Sequence, residues 1–298
     1  MIAMKILLAT MVLGATLSFA GCGSSSGSGS ISESNALLST PASGVSPAPG
    51  RRGFPGGFVH PGRCKRGIAD INITSLDDTA ALAGGVHWWY NWNPQPTAYG
   101  GPAVLGDTAS TGMEYVPMVW GTQYIGQALA PSSTVLGYNE PQAPDQSDMA
   151  PQLGVSLWPQ VESAAKAAEI GKIASPAADI IWANEFVTLC SGCQVDYIAV
   201  HSYPTSLSGL QSFVQAFEIF NKPIWVTEFA CQGCSLAQQE AFMKAAVPWL
   251  ESDSHIMRYA WYSEPDAANS SNQSLLIGSE LTPLGQIYVN LPSSCGSP

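Results

Sequence analysis

Charge is what this sequence has least of. Only 11% of its 298 residues are Asp, Glu, Lys or Arg, well under the quarter usual in soluble domains. Eleven basic residues face 22 acidic ones, a net of −11. Nucleic-acid partners need Lys/Arg patches, so this balance argues against them. Membrane-spanning length is lacking too: the apolar stretch "ILLATMVLGATLSFA" (6–20) is too short and wrongly flanked for a span. No Gly-rich phosphate turn follows an early strand, as a doubly wound dinucleotide fold would show.

What is present points to an exported, folded domain. Residues 1–21 have the charged start and apolar centre of a signal segment. "FAGC" followed by "GSSSGSGS" resembles a bacterial lipoprotein signal, which implies Cys22 as the lipidated first residue; ordinary cleavage after Ala20 is the simpler alternative. The expected location is the cell surface or periplasm by lipid anchor, or the medium, with the membrane met only through that anchor. Residues 22–62, rich in Ser, Gly, Pro and Ala, read as a flexible linker. The basic segment "RRGFPGGFVHPGRCKR" (51–66) reads as a solvated tail or, less favourably, as a contact for an anionic surface.

Without Cys22, six cysteines remain: Cys64, Cys190, Cys193, Cys231, Cys234 and Cys295. An even number in an exported protein favours disulfides, and the pairing is open. The two C-x-x-C pairs also have zinc spacing, but lack companion ligands nearby; no metal and no cofactor is expected.

From residue 63 to 298 short apolar runs alternate with helical patterns. The runs are "GGVHWWYNW" (84–92), "YVPMVW" (115–120), "VLGYNE" (135–140), "KIASPA" (172–177), "VDYIAVHSY" (195–203), "PIWVTEF" (223–229) and "IMRYAWYS" (256–263), with "PAVLG" (102–106) as a possible eighth. Helix signals lie between them: a capping box at Ser235 and Gln238, and Pro159 read as a first-turn proline. Alternation of this kind predicts an α/β fold with a parallel sheet, and eight units predict a (β/α)8 TIM barrel in a single domain.

A TIM barrel places its active site at the C-terminal ends of its strands. Those ends here carry Trp88, Trp89, Tyr90 and Asn91, then Trp120, Asn139 and Glu140, His201 and Tyr203, Glu228, and Trp261 and Tyr262. Each alone is most simply a core, capping or surface residue. Together they pair two carboxylates with an aromatic rim, which suits glycosidic cleavage. One carboxyl must be protonated to serve the leaving oxygen; the other must be ionised to attack or to activate water. Tyr203 is placed to donate to Glu228, and Asn139 to meet a sugar hydroxyl. Glu114 and Glu264 lie in no matching motif and read as loop residues.

"HWWYNWNP" (87–94), "GYNEP" (137–141), "VDYIAVHSYPTS" (195–206), "KPIWVTEFACQGCS" (222–235) and "LTPLGQIYVN" (281–290), in this order, resemble glycoside hydrolase family 128. The resemblance implies a β-1,3-glucan substrate, retention of anomeric configuration, Glu140 as acid/base and Glu228 as nucleophile. It implies a glucan platform from Trp88, Trp89, Asn91, Trp120, Asn139, His201, Tyr203 and Trp261. Ser202 departs from the aromatic common in relatives, which removes one stacking surface. Endo action by a monomer is the expectation. The alternatives are exo action, another β-glycan, or a surface glucan-binding protein on a hydrolase scaffold.

Overall fold

The computed structural model describes residues 64–96, 111–263 and 272–295. The signal-like segment, Cys22, the linker to residue 62, "PAVLG" and Glu264 lie outside them. Among the described residues the order is β1 (Arg66–Ala69), α1 (Leu76–Leu82), β2 (Trp88–Tyr90), β3 (Glu114–Tyr115), β4 (Thr134–Val135), α2 (Pro151–Ala167), β5 (Lys172–Ile173), α3 (Ile180–Leu189), β6 (Ile198–Ser202), α4 (Leu207–Ala216), β7 (Ile224–Phe229), α5 (Leu236–Ser252), β8 (Ile256–Tyr262), β9 (Leu276–Ile277), β10 (Glu280–Leu281) and α6 (Pro283–Asn290).

Six strands run parallel in the order β3-β2-β1-β8-β7-β6, and β4 pairs in parallel with β5. Single parallel bridges complete the circuit. Met118 with Leu136 links the chain after β3 to that after β4, and Ala174 with Tyr197 links β5 to β6. The sheet thus closes on itself from first strand to eighth, a (β/α)8 barrel with the antiparallel β9–β10 hairpin outside it.

Alternation along the strands separates two apolar layers. Trp88, Tyr90, Met118, Leu136, Tyr197, Trp225 and Met257 fill the barrel interior. Ile68, Trp89, Val200, Val226, Tyr259 and Trp261 face the helices. The Trp88 indole lies across Gly67: a Cβ at residue 67 would sit 2.2 Å from its ring, so only glycine admits that packing.

The remaining strand is β1, which begins on Arg66, the last residue of the basic segment 51–66. Its basic residues are anchors of the barrel floor. Lys65 Nζ donates to the carbonyls of Glu251 (2.8 Å) and Asp253 (2.9 Å) at the end of α5. Arg66 is fully buried and donates to the carbonyls of Tyr288 (2.6 Å) and Pro292 (2.7 Å).

Helix starts follow local chemistry. Ser75, Asp179, Ser206 and Thr282 accept from first-turn amides, and Gln238 Oε1 accepts from Ser235 N–H at 2.9 Å. Pro159 is interior to α2; Pro151 occupies the first-turn position instead. The six cysteines pair as Cys64–Cys295, Cys190–Cys193 and Cys231–Cys234.

Candidate active site

Irregular pairing aims the catalytic-type side chains. Strict alternation along β7 puts Trp225 inward and Val226 outward, and would send residue 228 outward as well. Phe229 takes the outward place, because the pairing of β7 with β8 slips between Val226 and Phe229. On the other side, the β6–β7 register shifts between Val200 and His201, which brings His201 opposite Glu228. Bulges that re-aim a side chain recur beside active sites. Glu228 is thereby turned into the barrel mouth and left 3% exposed.

Glu140 arrives differently. It follows β4 with φ of 40°, in the left-handed region, costly for a residue with a Cβ. Its N–H donates to Ala177 O (2.9 Å) and its carbonyl accepts from Ala143 N–H (2.9 Å). Those bonds hold the turn and leave its carboxylate partly exposed.

His201 stands between the two glutamates. Nδ1 is 2.8 Å from Glu140 Oε1, and Nε2 is 3.2 Å from Glu228 Oε1. The second contact is ionic in distance but off a hydrogen-bond axis, since Nε2 makes no hydrogen bond among the described residues. Oxygens of the two carboxylates and a ring nitrogen lie within 4.8 Å of one another.

Glu228 is further held by donors. Oε1 accepts from Trp92 Nε1 (2.8 Å) and Tyr90 Oη (3.0 Å), and Oε2 from the Tyr203 hydroxyl. Burial, then the charge of Glu228, pushes both phenols well above their ordinary pKa, so they remain donors. Tyr262 completes an aromatic enclosure, edge-on to Trp92 at 6.0 Å and to Tyr203 at 5.5 Å.

Titration follows from the geometry. Burial works to raise the Glu140 carboxyl, but the hydrogen bond and charge of His201 win, and its pKa falls below 4.5. Burial works to lower His201, but the charge of Glu228 and the bond to Glu140 win, and its pKa rises above 6.5. The contact thus favours the ionised form of Glu140 and the protonated form of His201. Glu140, His201 and Glu228 are metal-ligand types, yet the oxygens of Glu228 already take donors from three aromatic side chains. The set is built as a hydrogen-bonded carboxylate pair.

Of the remaining expected rim residues, Trp120 is partly exposed beside the barrel interior. Asn139 is buried, with Nδ2 on Gln146 Oε1 (3.0 Å) and Oδ1 without a hydrogen-bond partner among the described residues. Asn91 is buried, its Oδ1 accepting from Tyr115 Oη at 2.6 Å. Trp88, Trp89 and Trp261 are 0% exposed and offer no face to a sugar. Trp88 lies in the barrel interior, its Nε1 on Lys65 O (2.9 Å); Trp89 and Trp261 point to the helix layer, the latter bonding Gln273 O (2.9 Å). These three correct the expected platform. Trp92 and Tyr262 take the rim positions instead.

The family model described as glycosyl hydrolase catalytic core matches residues 67–288. The alkali-sensitive linkage protein 1 of Schizosaccharomyces pombe is 30% identical over 253 residues, 76% of this chain and 44% of that protein; the chain thus spans under half of that curated relative. Two solved structures are similar throughout. A family 128 subgroup II endo-β-1,3-glucanase from Sorangium cellulosum is 34% identical, with a TM-score of 0.69, covering 78% of this chain and 100% of that one. A subgroup III curdlan-specific exo-β-1,3-glucanase from Blastomyces gilchristii, in complex with glucose, is 28% identical with a TM-score of 0.60, covering 76% and 98%.

Proposed function

The chain belongs to glycoside hydrolase family 128, a family of β-1,3-glucanases, and from this we propose that it is an endo-acting, retaining enzyme with Glu140 as acid/base and Glu228 as nucleophile. The observation that carries the reading is the pair of carboxylates bridged by His201, with oxygens within 4.8 Å. So close an approach of single oxygens accords with a retaining pair, whose carboxyl groups stand ~5–5.5 Å apart, where an inverting pair stands ~6.5–9.5 Å apart to admit a water.

The chemistry follows. As a glucan fills the cleft, the proton on His201 crosses the 2.8 Å contact to Glu140, which donates it to the leaving oxygen. Glu228 attacks the anomeric carbon and forms an ester. Water then gives its proton to Glu140 and its oxygen to that carbon, and Glu228 leaves as a carboxylate. Trp92, Trp120, Tyr203 and Tyr262, all partly exposed, supply the stacking faces. The Asn139 Oδ1 acceptor suits a sugar hydroxyl. Endo action is supported by the 34% identity with the subgroup II endo-acting enzyme.

The test is a product profile on laminarin, curdlan, lichenan and xylan. A ladder of oligosaccharides from curdlan is expected; glucose alone means exo action, and binding without cleavage of any β-1,3-glucan overturns the reading. We also propose the lipid anchor at Cys22: Cys22→Ala should move the protein from membrane to soluble fraction, and a soluble wild type sinks it.

A further inference from the structure

Trp92 has a backbone that an aromatic residue rarely adopts, with φ of 60°. The loop around it keeps it there. The Tyr115 hydroxyl lies 2.6 Å from Asn91 Oδ1, 2.7 Å from Asn93 O and 2.8 Å from Gln95 O. Met118 N–H donates to Asn93 O (2.9 Å), Ala130 N–H to Pro94 O (2.9 Å), and Tyr124 Oη to Asn93 Oδ1 (2.6 Å). A conformation unfavourable in itself and fixed from several sides is the mark of a functional constraint. Its outcome is one contact: the indole turns back so that Nε1 meets Glu228 Oε1 at 2.8 Å.

The two oxygens of Glu228 are not equivalent. Oε1 is surrounded by Trp92 Nε1 (2.8 Å), Tyr90 Oη (3.0 Å) and His201 Nε2 (3.2 Å). Oε2 meets the Tyr203 hydroxyl and keeps a lone pair. We infer that Trp92 is a positioning residue that reserves Oε1 as the non-attacking oxygen, leaves Oε2 to bond the sugar, and chiefly speeds breakdown of the glycosyl ester. The inference rests on Glu228 being the nucleophile of a retaining enzyme.

In the first half-reaction the Oε2–carbon bond forms as the glycosidic bond breaks, and Glu140 protonates the departing oxygen. Charge then drains from Oε1, which becomes an ester carbonyl, and the indole bond weakens. In the second half-reaction water attacks, its proton goes to Glu140, the carbon–Oε2 bond breaks, and the electron pair returns to the carboxylate. Charge reappears on Oε1 where the N–H already points, a preorganised donor for a developing anion. Trp92 thus opposes the first step slightly and assists the second.

The experiment uses an activated fluorosugar, a dinitrophenyl 2-deoxy-2-fluoro β-1,3-linked disaccharide, which traps the ester and lets trapping and reactivation be timed separately. Trp92→Phe should still be labelled on Glu228 and should reactivate roughly 10- to 100-fold more slowly, the size of one hydrogen bond to a charged group. On laminarin, kcat and KM should fall together as the ester accumulates. Should Trp92→Phe fold poorly, benzothienylalanine at position 92 keeps the shape of tryptophan without its N–H, and the same slow reactivation is expected. Wild-type reactivation of a labelled Glu228 in either variant overturns the role of Trp92. Labelling of a different carboxylate in the wild type overturns the assignment of Glu228, and the role of Trp92 with it.

Discussion

His201 and Glu140 meet at 2.8 Å, Nδ1 to Oε1, and that contact joins the turn after β4 to β6, whose His201 lies opposite Glu228 on β7. It lowers the Glu140 carboxyl and, after the charge of Glu228, raises His201. The folded pKa of His201 lies above its ordinary 6.5, so its stabilisation is complete below about that pH and is lost as pH rises through the raised value. Glu140 lies below its ordinary 4.5, so its stabilisation is present above that pH and fades as pH falls through the depressed value. The pair therefore contributes most between about 4.5 and 6.5. His201→Gln should lower the melting temperature at pH 5.5 by more than at pH 9. An equal loss at both pH values would sink this account.

The proposed division of labour between the glutamates can be read by chemical rescue. Glu140→Ala should lose about 10²- to 10⁴-fold on laminarin, as expected for a general acid–base. On an aryl glucoside with a good leaving group, ester breakdown becomes limiting, and azide should restore turnover with a β-glycosyl azide as product. NMR of that product is the check: an α-azide would assign the roles the other way round.

Asp70, just past β1, is almost completely buried. Burial pushes its carboxyl up from 3.8 to about 6, against hydrogen bonds from Ser263 and Asn72. A raised carboxyl is a cost to the folded state when ionised, complete above pH ~6 and absent below ~4. Asp70→Asn keeps the shape and should stabilise the protein at pH 8 by on the order of 3 kcal/mol. The gain should shrink below pH 6. Denaturant midpoints at pH 8 and pH 4.5 measure it; a gain independent of pH would exclude the mechanism.

The Cys64–Cys295 disulfide spans 231 residues and sits at the start of β1, at the opposite end of that strand from the cleft. Constraint of so long a loop is worth up to roughly 5 kcal/mol in the chain-entropy model. Replacing both cysteines by serine should lower the melting temperature by several degrees and leave kcat at 25 °C unchanged. A fall in kcat without a fall in melting temperature would contradict this placement.

The sequence made the barrel legible because its strands end where the pattern changes, at Glu140, His201 and Glu228. It hid β1 because a strand of four residues beginning with an arginine looks like the end of a basic tail; burial of Arg66 depends on carbonyls of Tyr288 and Pro292, more than two hundred residues away. Trp88, Trp89 and Trp261 looked like a platform because motif position does not reveal which way a side chain points; two of them face the helices. Trp92 could not be assigned for a related reason: a left-handed turn at a tryptophan is imposed by its neighbours in space. The slip in β7 that turns Glu228 inward is equally invisible, since it arises from pairing with β6 and β8.

The barrel is unevenly stitched, and this bears on how it grips a polymer. β7 and β8, six and seven residues long, pair within one six-stranded run with β6 and β1, and β7 and β6 present Glu228 and His201 as one jaw. β4 and β5, two residues each, join β3 and β6 through single bridges, and the chain after β4 presents Glu140 as the other jaw. The gap that defines the reaction is therefore spanned by the imidazole of one jaw reaching the carboxylate of the other. On the roles proposed above, a proton passed from that span to the leaving sugar also removes a charge that holds the two sides of the cleft together.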